Sequence, residues 1–150
     1  MAAAASPFAT PAHPSPARER IALPALFTAL AGGPLAWVTQ LLVNYGLASA
    51  TCYPLDFPRT EAVPGWGAVW YGLLAVNLLA IGVALFAAAG SHRYWRATRN
   101  EHAGHARHAL EAGEGRTRFV ALVGLMAGLG FAAALVFDLI ALLVVPQCQG

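Results

Sequence analysis

The chain has 150 residues, of which 58% are hydrophobic and 11% charged, with a formal net charge of +2. Soluble domains carry roughly 25% charged residues and disordered chains far fewer apolar ones, so neither class fits. Three stretches, 22–50, 66–89 and 119–146, each exceed the roughly 20 apolar residues that cross a hydrocarbon layer of about 30 Å. The expected fold is therefore all-α, a polytopic membrane protein with one three-helix transmembrane domain over 22–146.

Residues 1–21 precede the first span. Rich in Ala and Pro, they hold too few large apolar side chains to order, and a floppy tail is expected. The first span follows Arg18 and Arg20 and superficially resembles a signal peptide, with Ala48-Ser49-Ala50 as a cleavage site. Its apolar run is about twice the usual length for such a segment, so an uncleaved helix is the better reading. Pro34 removes a backbone donor inside that span and, beside Gly32 and Gly33, predicts a kink.

Pro54, Pro58 and Pro64 predict an extended, stiff connection to the second span. Beyond the second span, 92–111 has the composition of a short surface helix, broken by Gly113 and Gly115. The third span carries a single charge, Asp138. Its many Leu, Ile, Val and Phe residues, at roughly −0.3 to −0.6 kcal/mol each, outweigh the ~3 kcal/mol cost of one central aspartate.

All nine basic residues are arginine, and they set the orientation. Eight lie before the first span or between the second and third; only Arg59 lies between the first and second. By the positive-inside rule the amino terminus and the 90–118 loop are cytoplasmic, while the 51–65 loop and the 147–150 tail are periplasmic. Trp66, Trp70 and Tyr71 mark the outer interface, and Tyr94 and Trp95 the inner one. The small positive charge follows from this topology and points to no nucleic-acid partner.

Four intramembrane polar residues form the first candidate constellation. Asp138 shares a helical face with Gly124, Gly128, Phe131 and Leu135; Gln40 and Asn44 align with Gly33 and Trp37; Asn77 aligns with Ala80, Ala84 and Ala88. Counted inward from the outer ends, Asn44, Asp138, Gln40 and Asn77 lie at about 9, 12, 15 and 16 Å. The cluster is either a hydrogen-bonded knot that fixes packing or a titrating or ligand-contacting site centred on Asp138. Gly33, Trp37, Gly124 and Gly128 are the expected helix-packing residues.

Cys52 and Cys148 both fall at the outer surface, where a disulfide, two thiols or a copper(I) site are the open readings. His102, His105 and His108 are weak metal candidates. Three-residue steps drift around a helix, so the outer two diverge by about 120°, and a solvated loop is the simpler reading. No phosphate-binding loop, nucleophile elbow, H-E-x-x-H or haem-attachment motif is present, so neither an enzyme nor a bound cofactor is expected.

Gly33-Pro34-Leu35-Ala36-Trp37 with Gln40, Tyr45 and Cys52, then Arg118-Phe119 and Cys148, resembles small three-helix membrane proteins encoded in proteobacteria near haem-copper cytochrome c oxidase genes. The resemblance touches all three spans and leaves 1–17 and the histidine-bearing loop unmatched. It implies a non-enzymatic accessory subunit or assembly factor of the bacterial inner membrane, partnered by the lipid bilayer and a respiratory cytochrome c oxidase, and it transfers no catalytic residue. The alternative is a small proton or metal carrier working through Asp138 and the outer cysteines. Three helices leave little room for an aqueous path, so such a carrier would need to be an oligomer.

Overall fold

Alanine, leucine and glycine dominate the helical stretches, and few residues in them compete with helical hydrogen bonding. A computed structural model describes residues 21–53, 64–99 and 116–145. They form three helices: α1 (Leu23–Cys52), α2 (Trp66–Ala97) and α3 (Arg116–Val144). All three are long and apolar enough to cross a membrane. Each packs on the other two, and the α2–α3 contact is the most extensive. The described residues thus form an all-helical, multi-pass bundle with an up-down-up course.

Pro24 sits in the first turn of α1, where a missing N–H costs nothing. The helix then continues through Pro34, which leaves the Leu30 carbonyl without its usual helical donor. α2 opens on Gly65, whose φ of 90° is left-handed and favours glycine.

The second helix differs most from its expected bounds. Apolarity ends near residue 89, but Ser91–Ala97 continue α2; the rest of the expected surface helix, residues 100–111, lies outside the described residues. Hydropathy fades there, but neither glycine nor proline interrupts Ser91–Ala97, so the helical hydrogen bonding carries on. The helix stops at Thr98, whose hydroxyl is 3.0 Å from the Tyr94 carbonyl and 3.1 Å from that of Trp95. Arg118 Nη1 of α3 donates to the Arg99 carbonyl just beyond (3.3 Å).

Packing differs along the bundle. Toward the arginine-bearing end the helices meet almost backbone to backbone. A Cβ on Gly128 would lie 2.9 Å from the Ala88 nitrogen, and one on Gly33 would lie 3.1 Å from the Gly128 Cα. Ser91 Oγ crosses from α2 to donate to the Ala29 carbonyl of α1 (3.3 Å). Small side chains let dispersion contacts accumulate where lipid offers no hydrophobic drive between helices. In the middle, Ala80, Ala84, Ala132 and Leu135 form the core, with Trp37 and Ile81 against it. Large side chains face outward, among them Phe86, Met126 and Phe137.

Candidate functional site

Polar side chains enter the bundle one to two turns beyond the core toward the Cys52 end. Asn77 has no exposed surface and Gln40 only 2%. Gln40 Nε2 donates to Asn77 Oδ1 (2.8 Å), and Asn77 Nδ2 donates to the Leu73 carbonyl (2.8 Å) and to Asn44 Oδ1 (3.3 Å).

The direction of these bonds is fixed by the one group that cannot be turned round. The Leu73 carbonyl only accepts, so Asn77 must offer it Nδ2, which leaves Oδ1 toward Gln40. Gln40 must then offer Nε2, and its Oε1 is left without a partner.

Asp138 reaches the same region without joining the network. It is half-buried, and its Oδ2 is buried with no hydrogen-bond partner. The four residues expected to meet therefore divide: Gln40, Asn44 and Asn77 are hydrogen-bonded together, while Asp138 stands across a cleft from them. That cleft, about 330 Å³ and open to the side, runs between α1 and α3, with Gln40, Asn44 and Tyr45 on one wall, Asp138 and Leu142 on the other, and Leu73 of α2 behind.

The remaining expected residues fall as follows. Gly33, Gly124 and Gly128 lie in the close-packed crossing, and a Cβ on Gly124 would lie 2.6 Å from Ser91 Oγ. Trp37 packs on Phe131 with ring centroids 5.5 Å apart and planes tilted by 46°. Cys52 is buried and disulfide-bonded. A bridged sulfur has no thiolate to give a metal, so the copper(I) reading fails for Cys52 in this state. Its only possible intrachain mate, Cys148, lies outside the described residues, as do His102, His105 and His108. Among the described residues no group of three or more His, Cys, Asp or Glu could hold a metal ion.

One feature escapes motif reading. On the outward side of α2, Gly72, Ala75, Leu79, Gly82, Phe86 and Ala89 are all exposed and recur at three- and four-residue steps. A Cβ on Gly72 or Gly82 would meet nothing within 4 Å. The two glycines are ten residues apart, so a search for Gly-x-x-x-Gly passes over them; only the shared helical phase links them. Between the small residues, Leu79 and Phe86 stand 69% and 80% exposed.

Compared with protein families, curated proteins and solved structures, the chain shows no significant match to any of them.

Proposed function

We propose that this chain is a non-enzymatic accessory subunit or assembly factor of the bacterial inner membrane, docked through α2 onto a respiratory cytochrome c oxidase. The observation that carries docking is the outward α2 face. Alternating small and large side chains at helical spacing form the notches and knobs that a neighbouring transmembrane helix packs into, while an outward glycine gains nothing from lipid. The oxidase as partner rests on the resemblance of the Gly33–Trp37 motif, Gln40, Tyr45, Cys52, Arg118-Phe119 and Cys148.

Two independent features support a periplasmic Cys52 end. One is the arginine split. The other is the disulfide at Cys52, because such bonds persist in oxidising compartments. A carrier would need a path through the membrane, and the approach of Gly33, Gly128 and Ala88 weighs against one within a single copy.

The test is purification of the tagged chain from its own membranes in mild detergent. Oxidase subunits in stoichiometric amount are the expected result, with their loss in Gly82→Leu, whose new side chain points away from the bundle. A pure homo-oligomer without oxidase subunits would overturn the reading in favour of a carrier.

A further inference from the structure

We infer that the cleft between α1 and α3 seats one acyl chain of a diacyl phospholipid from the leaflet at the Cys52 end, and that the lipid's ester carbonyl accepts a hydrogen bond from the Asn44 side-chain amide. Asn77 Nδ2 carries two hydrogens, one given to the Leu73 carbonyl and the other to Asn44 Oδ1. Asn44 therefore spends its oxygen on the network and keeps its own Nδ2 as a donor. Among the described residues that Nδ2 donates to nothing, and it is not closed off from the surface. Asn44 lines the cleft, so the spare N–H belongs to the cleft wall. The two orphaned acceptors nearby, Gln40 Oε1 and Asp138 Oδ2, are buried beneath the surface and make no bond to it.

Depth decides what can answer this donor. The 30 residues of α1 extend about 45 Å, so a centred helix reaches about 7 Å past each edge of a hydrocarbon layer of roughly 30 Å. Asn44 lies about 12 Å in from Cys52, which puts it about 5 Å inside the hydrocarbon. An N–H at that level meets no water and must find its acceptor elsewhere. The acceptor a bilayer holds nearest to this level is the ester carbonyl at the head of each acyl chain.

Shape selects the chain below that carbonyl. Leu41, Tyr45 and Ala48 on α1 and Asp138, Ala141 and Val145 on α3 make walls about 10 Å long, running with the helices and hence with the lipid chains. The lining is mostly apolar, and buried Leu73 of α2 closes the back. The open side thus faces away from α2 into lipid, and about 330 Å³ leaves room for one chain and its ester. The outward row of α2 lies on the other side of that helix from Leu73, so this site does not depend on the partner proposed above.

The test uses the purified, delipidated full chain in non-ionic detergent. Diacyl phosphatidylcholine is compared with the dialkyl ether phosphatidylcholine of equal chain length, which has the same headgroup and neither carbonyl, and Tm is followed by tryptophan fluorescence. At saturation the diacyl lipid should give a Tm about 3 °C or more above that with the ether lipid. Asn44→Ala should erase the difference. Ala141→Phe, at an exposed position on the cleft wall, fills the cleft and should remove the rise with either lipid. Should Asn44→Ala fail to fold, Ala141→Phe decides alone. Equal Tm values for wild type in the two lipids, or either variant responding as wild type does, would overturn the proposal. An ester preference that persists without co-purifying oxidase would reject the partner and leave the lipid site standing.

Discussion

Asn77 has no exposed surface and uses both ends of its amide, receiving from Gln40 and donating to Asn44 and to its own helix at Leu73. Interhelical hydrogen bonds in membranes average about 0.6 kcal/mol each, so losing two is modest. Asn77→Leu also strands the buried Gln40 Nε2, which raises the cost. The expected loss is about 2 kcal/mol, measured by unfolding in mixed detergent micelles. A variant as stable as wild type would show that the polar layer contributes nothing to packing. Counting 1.5 Å per residue put Gln40, Asn44, Asn77 and Asp138 within about two helical turns of one another in depth. Which of them bond was not legible, because amide direction depends on the Leu73 carbonyl, and a backbone group leaves no mark in the sequence.

On α3, two glycines two residues apart have opposite surroundings. A Cβ on Gly128 would meet Ala88 at 2.9 Å, whereas one on Gly130 would meet nothing within 4 Å. Gly128→Leu must push α2 away, and overpacking of this kind costs about 1–3 kcal/mol or more. Gly130→Leu should change stability by less than about 0.5 kcal/mol. Thermal unfolding of the two variants side by side checks the pair, and equal losses would contradict the packing described here. The buried phase of Gly124, Gly128 and Leu135 was legible from helical spacing alone. The end of α2 was not: hydropathy reports where lipid stops, whereas hydrogen bonding decides where a helix stops, and at Ser91–Ala97 the two criteria diverge.

For the whole molecule, the arginine split and the Cys52 disulfide predict a periplasmic α1–α2 connection and a cytoplasmic α2–α3 connection. Alkaline phosphatase fused after Ala62 should be active and after Arg107 silent; the reverse pattern would invert the topology. Three spans were legible because apolar length is written directly in composition, but the outward row on α2 was not, since glycine and alanine add little to hydropathy on either face. The length of α2 has one more consequence. Its 32 residues extend about 48 Å, well beyond the roughly 30 Å of hydrocarbon. Trp66 and Trp95, near its two ends, lie about 44 Å apart along the axis, close to the thickness of a bilayer with its headgroups. Exposed Arg93 and Arg96 sit beside the second tryptophan, where each gains about 1 kcal/mol from anionic lipids. α2 is thus anchored at both interfaces like a fixed gauge, and α1 and α3 are locked to it by backbone contact. A thinner bilayer must tilt all three helices together, so the depth of the cleft below the surface is set by the lipid as much as by the protein.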